Sequence, residues 1–514
     1  MINNMTDYLW NTNFTTYDSI IVAFYLILTL VIGLYAKNKI KVIDDFIVAG
    51  RNIGSGLGIA SMAGTEMGLI TIMYSAQKGF VGGFAAFHIA LIAFFVTLLI
   101  GISGFIVVPL RKTNVMTIPE YYELRFGKNV RIIGAIILAL GGILNMGLFL
   151  KIGSMFIVGI MGLTQTGWVL PSIMTSLLIL ALVYTTLGGM FSVIITDYLQ
   201  FVILSIVLLF TTYFSIQELG WNNIWNSVYS NMGEKGFNPF VEGEFGFEYI
   251  VWMIITAGLV SCAIWPTAIA RALAMKTAKD VKIQYKWASI SFLVRFLIPY
   301  FWGICAFVYF VNSAEMGSLF FAKDESTILN NLYALPIFLG KIIPAGFIGV
   351  LTAGMIAAFM STHDSYLLCW SSVITQDIIA PLKKNNLSDH RRIQWTRIII
   401  IIIGIYILYW GLIYNGTEDI WDYMAITGSI YFTGAISVLI GGLYWEKASS
   451  TGAIFALFGG LFSVLGLGPV QDFFGISVSG TRIGLLSICL SIFLLYFGSI
   501  IFPDNSKNKE NDEY

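Results

Sequence analysis

The chain has 514 residues, of which 57% are hydrophobic, 15% aromatic and only 11% charged, so it lacks the polar residues to cover a water-facing surface of its size. It reads as an all-α integral membrane protein whose first partner is the lipid bilayer. Its 29 basic and 29 acidic residues cancel, but they concentrate in a few short segments between apolar runs, so their placement is more informative than their sum; no nucleic-acid partner is expected.

A membrane span needs about 20 predominantly apolar residues. By that ruler the chain holds thirteen spans, at roughly 19–36, 53–78, 83–110, 131–162, 168–186, 190–216, 248–274, 287–312, 337–373, 396–415, 420–445, 449–468 and 480–502. No room remains for a soluble domain. The first sixteen residues are polar without a basic start, and the first run is followed by Lys37, Lys39 and Lys41. That is the reverse of a cleaved signal peptide, and it places the N-terminus outside a cell membrane. The segments from Lys37 to Arg51, Arg111 to Arg131, Arg271 to Lys286 and Lys383 to Arg397, with the tail lysines Lys507 and Lys509, then fall in the cytoplasm, whereas the long external loop 217–247 has one lysine. The odd number of spans puts the C-terminus inside, with a disordered tail over 503–514. The triplets at Asn4, Asn13 and Asn415 match a glycosylation pattern on external segments.

Two spans carry interruptions. The second has Gly56, Gly58, Gly64 and Gly68 around Thr65-Glu66, and the seventh has Pro266 after Cys262-Ala-Ile-Trp265. Broken helices at matching positions of two halves point to an inverted-repeat transporter with its site at the midplane. Glycine that allows close packing, and proline that kinks, give the plainer reading. In the ninth span Ala358, Ser361, Thr362 and Ser365 fall at i, i+3, i+4 and i+7 and share one helix face. Hydroxyls one turn beyond a carbonyl, facing an unwound helix, make an oxygen cage for a hard cation. The same hydroxyls serve equally for bonding back to their own helix. Cys262, Cys305, Cys369 and Cys489 all lie in apolar runs without metal-ligand spacing, and no phosphate-binding loop or nucleophile elbow appears in a soluble segment, so neither ATP drive nor enzyme catalysis has a site.

The run Ala353-Gly-Met-Ile-Ala-Ala-Phe-Met-Ser-Thr-His-Asp-Ser365, followed by Ser371-Ser372 and Asp377, resembles the signature of the sodium/solute symporter family. Three further segments resemble that family in the expected order: Asp44-Asp-Phe-Ile-Val-Ala-Gly-Arg51, Tyr184-Thr-Thr-Leu-Gly-Gly189 with Thr196-Asp197 and Gln200, and Arg271-Ala-Leu-Ala-Met-Lys276. The resemblance implies a leucine-transporter-type fold in which residues 53–216 (spans 2–6) and 248–445 (spans 7–11) form two inverted five-helix repeats. It flanks them with a first span and loop (1–52) and two last spans (446–502). It also implies import of a small organic solute, a sugar, amino acid or carboxylate, coupled to Na⁺.

Carried onto matching positions, the family Na⁺ site uses backbone carbonyls of Ala60, Ala63 and Ala358 and the hydroxyls of Ser361 and Thr362. In some relatives an aspartate joins residues one turn on to hold a second cation, which here corresponds to Asp197, Ser361, Asp364 and Ser365. With both carboxylates present, either a second cation binds or one carboxylate is protonated. In a plainer reading Asp197 caps a helix and Asp364 pairs with a basic loop. The solute pocket then lies beside the two breaks, with Thr65, Glu66, Trp265 and Thr267 as lining. Asn145, His88 and Lys151 are further candidates, and Lys151 is expected either to meet Glu66 or an anionic group or to snorkel outward. Asn145 matches a position where a sialic acid transporter of the family places a basic residue, which argues against that ligand. His363 falls on another helix face and reads as an interior histidine. Proton coupling through Asp197 and Asp364 is the nearest alternative; a channel lacks a ring of charges or a repeated filter motif, and a sensor lacks a signalling domain.

Overall fold

In the computed structural model the described residues are 10–37, 47–163, 167–321, 329–383, 387–414 and 420–504. The Asn4 and Asn415 triplets, the segment from Asp44 to Phe46 and the tail from Asn505 lie outside them. Among the described residues there is no strand, only isolated bridges. The main helices are α1 (Thr16–Lys37), α2 (Ser55–Glu66), α3 (Leu69–Gly82), α4 (Phe87–Ser103), α5 (Lys128–Asn145), α6 (Phe149–Met161), α7 (Val169–Leu219), α8 (Phe247–Met253), α9 (Pro266–Ala274), α10 (Ala278–Val311), α11 (Phe347–Val373), α12 (Asp389–Ile413), α13 (Ile420–Tyr444), α14 (Ser450–Gly460) and α15 (Gly480–Ile501). Nine helical segments among the described residues are long and apolar enough to cross a bilayer, and shorter apolar helices accompany them. Large apolar side chains such as Leu91, Phe95, Leu99, Ile402, Ile405 and Phe493 are exposed on the outside. Lipid is the solvent that tolerates such a surface, and helices satisfy their own backbone within it.

Both expected breaks are present. Helix α2 stops at Glu66 and α3 starts at Leu69, with Gly68 extended at φ −75° and ψ 160°. The seventh span winds as a π-helix over Ile254–Val260, closes a short turn at Ser261–Ala263, and restarts at Pro266. Trp265, preceding the proline, is held extended at ψ 127°. The break leaves the Cys262 carbonyl without a helical partner, and the hydroxyl of Tyr285 donates to it at 2.7 Å. At their far ends the two broken helices are tied together: Ile53 N–H donates to the Ala274 carbonyl and Lys276 N–H to the Ile53 carbonyl, at 3.3 and 2.9 Å.

Two boundaries differ from expectation. The ninth run does not start at residue 337, because Ile343 turns extended before Pro344 and Gly346 takes φ 87°; the short helix Ala334–Ile342 is separate, and α11 starts at Phe347. The fifth and sixth runs join in one helical segment, α7. Its first half packs antiparallel to α12, with Leu182 beside Gly404 and Met174 beside Gly411, and its second half antiparallel to α11, with Ile203 and Val207 beside Gly354 and Phe214 against Phe347. Helices α11 and α12 are themselves antiparallel neighbours, joined at Arg392–Gln376 and Thr396–Thr375. The halves of α7 therefore run opposite ways, and the segment doubles back between Thr185 and Asp197.

Candidate functional site

Helix α11 carries the hydroxyl face toward the break between α2 and α3. Thr362 Oγ1 donates to the Ala358 carbonyl at 3.0 Å and lies against Gly68 so closely that a β-carbon there would overlap it. Only glycine allows the break to approach α11 in this way. The Ala63 carbonyl accepts the Met67 N–H at 3.1 Å, and Ala60, Ala63 and Ala358 are all buried. The break thus brings Thr362 to the end of α2 that carries the Ala60 and Ala63 carbonyls. Hard neutral oxygens of this kind are the donors an alkali cation takes.

Ser361 points to a different partner. Its hydroxyl donates to Asp197 Oδ1 at 2.5 Å, while Ser61 and Thr65 on α2 donate to Asp197 Oδ2 at 2.7 and 2.9 Å. The carboxylate is fully buried, and Arg271 of α9 completes its shell, with one guanidinium nitrogen 3.4 Å from Oδ2. The same nitrogen donates to Ser365 Oγ at 2.5 Å. Asp364 is not in this shell: its Oδ1 accepts from Thr185 of α7 at 2.5 Å. Of the four residues grouped as a second cation cluster, Asp197 and Ser361 meet directly, Ser365 joins them through Arg271, and Asp364 turns toward α7. Helical spacing puts Asp364 one position before Ser365 and so on an adjacent face, which accounts for the separation. His363 is an interior group, fully buried with Nδ1 on the Phe359 carbonyl.

Beside this locus, between the two breaks, lies a cavity enclosing about 780 Å³, counting its mouth. Thr65, Glu66, Trp265, Thr267 and Asn145 all line it, as does Thr362. Thr65 therefore belongs at once to the Asp197 shell and to the cavity wall. Aromatic rings close two sides: Tyr74 meets Trp421 edge-on at 4.7 Å, and Trp265 Nε1 donates to the Tyr366 hydroxyl at 2.9 Å. Asn145 Nδ2 donates to the Met424 carbonyl at 2.8 Å and to Thr427 at 3.2 Å.

Two of the candidates, Lys151 and His88, are not among the residues that line the cavity. Glu66 does not meet Lys151; it pairs with Arg295 of α10, whose guanidinium also donates to Ser261 at 2.6 Å and stacks on Phe292 and Phe296, 4.1 and 4.4 Å from their ring centroids. Lys151, one turn beyond the 3₁₀ step in the fourth span, donates to the Tyr414 carbonyl at 2.6 Å and does not line the cavity. His88 is also outside it, with Nδ1 2.6 Å from the Ala85 carbonyl and its ring against Phe245. The missed residues are Ser61, Arg271 and Arg295 as partners of acids. An ionisable residue within an apolar run is a functional signal by default, and Arg295 inside the eighth run carried that signal.

Residues 46–460 match the family model described as the sodium:solute symporter family. The chain belongs to this family. The symporter is similar to the sodium/glucose cotransporter of Vibrio parahaemolyticus, 24% identical over 85% of this chain and 82% of that protein. It is likewise similar to the sodium/sialic acid symporter of Aliivibrio fischeri, 22% identical over 98% and 96%. Among solved structures, a substrate-bound, outward-open Na⁺-coupled sialic acid symporter superposes with a TM-score of 0.78 at 19% identity, covering 96% of this symporter and 99% of that chain. That likeness establishes the fold. The coupling ion of the family is Na⁺.

Proposed function

We propose that this symporter imports a small, neutral, polyhydroxylated solute across the cell membrane, coupled to Na⁺, by alternating access of two inverted five-helix repeats within thirteen spans, N-terminus outside. One observation carries the reading: Thr65 lies in both the Asp197 shell and the cavity wall. A change at the α2–α11 contact that follows Na⁺ is thereby felt by the solute. The expected Na⁺ donors are Thr362 and Ser361 with the carbonyls of Ala60, Ala63 and Ala358. Within the cavity the charges of Glu66 and Arg295 offset one another, and the remaining polar lining is hydroxyl and amide among aromatic rings, which suits the alternating C–H and O–H faces of a sugar or polyol. The Glu66–Arg295 pair supports a second reading, a zwitterion whose two ends separate the pair.

Each inward charge is worth about 2.3 kcal/mol per 100 mV, roughly fiftyfold accumulation. In proteoliposomes, Ser361→Ala combined with Thr362→Ala is expected to abolish Na⁺-dependent uptake while leaving folded protein; sodium dependence that survives intact refutes the site. A thermal-shift screen against sugars, polyols, amino acids and carboxylates, with and without Na⁺, identifies the solute class, and stabilisation by carboxylates alone refutes the neutral-solute reading.

A further inference from the structure

A second cavity, enclosing about 780 Å³ counting its mouth, shares no lining residue with the solute cavity and opens between α7 and α10. Its origin is a wedge. The two helices meet at Trp302, whose Nε1 donates to Thr212 Oγ1 at 3.0 Å, and toward their other ends α2 holds them apart. Gly64 faces α7, where a β-carbon would meet the Asp197 carbonyl oxygen at 2.7 Å, and the Gly58 carbonyl takes the Gln284 amide of α10 at 2.9 Å. Ala63, Gly64 and Met67 form the floor of the groove, with Leu208 of α7 and Ile290 and Ile298 of α10 on its walls. The rims are open, with Leu209 70% and Ile290 48% exposed. Within membrane spans, that exposure is to hydrocarbon.

We propose that this groove seats one anionic phospholipid of the cytoplasmic leaflet, its acyl chain along the groove against the α2–α3 break and its headgroup at Lys286 and Trp287. The leaflet follows from the orientation above, on which that part of the inference rests. Leaving bulk lipid for the groove brings an acyl chain no hydrophobic gain, so fit and headgroup must select the occupant. The fit is one of length: the fifteen residues from Trp287 to Trp302 rise about 22 Å, more than half of the ~30 Å hydrocarbon core. Trp287 marks the headgroup end, 60% exposed beside the exposed Lys286, where an indole serves as an interfacial anchor. Residues 276–290 carry Lys276, Lys279, Lys282 and Lys286 against one acid, Asp280, which is engaged with Thr277 at the start of α10. That excess of positive charge suits a phosphate without an ammonium partner better than a zwitterionic headgroup. The consequence falls on α2. A lipid chain on this floor packs against the last turn of α2, where the Met67 N–H closes on the Ala63 carbonyl before the backbone breaks at Gly68, and braces that turn in place.

Photolabelling in nanodiscs reads the seat directly. The full-length symporter, in discs doped with phosphatidylglycerol that carries a mid-chain diazirine, is illuminated and its adducts are mapped by peptide mass spectrometry. Adducts are expected to concentrate on 201–209 and 290–298, and a phosphatidylcholine probe with the same chain should label these stretches several-fold less. Lys286→Gln, a change at an exposed side chain, should lower phosphatidylglycerol labelling of the groove about fivefold, the weight of one basic residue at an anionic lipid, and leave labelling of the exposed Ile405 and Phe493 unchanged. Adducts spread over the exposed apolar side chains of every outer helix in proportion to their exposure overturn the proposal, since they describe bulk lipid. So does equal groove labelling by the two probes, or groove labelling that Lys286→Gln leaves intact. Discs present the same lipid on both faces, so an inverted topology would rename the leaflet without moving the seat. No step reads sodium or solute, so the lipid seat can fail while Na⁺ coupling stands, and the reverse.

Discussion

Replacing Asp197 with asparagine tests the electrostatics at the centre of the molecule. The carboxylate accepts three hydroxyl hydrogens and lies 3.4 Å from the Arg271 guanidinium with no exposed surface. Hydrogen bonds to a charged group contribute about 1.5–3 kcal/mol each, but folding has already desolvated both charges, so the decisive term is what remains after the change. Asp197→Asn would leave Arg271 buried without its counter-charge and set an N–H₂ group against hydroxyls that are already donating. Breaking one side of a buried pair costs about 3–5 kcal/mol. The companion Arg271→Gln strands the carboxylate in the same way. The double variant strands neither charge, so its loss should fall short of the sum of the singles by a coupling energy of about 2–3 kcal/mol. The measurement is reversible unfolding of the four proteins in the same micelles, analysed as a double-mutant cycle. Additive losses, within about 0.5 kcal/mol, would show that the two groups do not stabilise one another.

Two further perturbations test the framework around that site. Gly303 on α10 abuts the backbone of Ala76 on α3, and Gly79 abuts that of Tyr300, so a β-carbon at either overlaps main chain that has no rotamer to move; Gly303→Ala should lower stability by about 1–3 kcal/mol, and an unchanged unfolding midpoint would contradict the close crossing. Tyr285→Phe removes the donor to the Cys262 carbonyl and should cost about 1–3 kcal/mol. An unchanged unfolding midpoint would refute the pairing.

Much of this molecule is legible along the chain, for reasons tied to particular residues. Gly68 and Pro266 cannot sit unnoticed in apolar runs, since one lacks a β-carbon and the other an N–H, and both breaks stand where those residues are. The face of Ser361, Thr362 and Ser365 follows from helical period alone. What the spacing did not reveal is which partner each oxygen takes. Ser361 and Thr362 are adjacent in sequence, yet one is held by Asp197 and the other lies against Gly68. Glu66 and Lys151 looked complementary as charges, but α10 brings Arg295 to Glu66 while Lys151 caps the Tyr414 carbonyl.

The amino-acid sequence by itself determined that this is a helical membrane protein of the sodium:solute symporter family, where its helices break, and which buried acids need partners. The membrane class and the breaks follow from local composition and short-range period, and the family from the resemblance of four motifs in order. The tertiary structure alone decided the pairing of those acids, because Asp197 with Arg271 and Glu66 with Arg295 are contacts 74 and 229 positions apart in the chain. Pairings at that distance depend on how α7 doubles back and how α9 and α10 pack across the breaks.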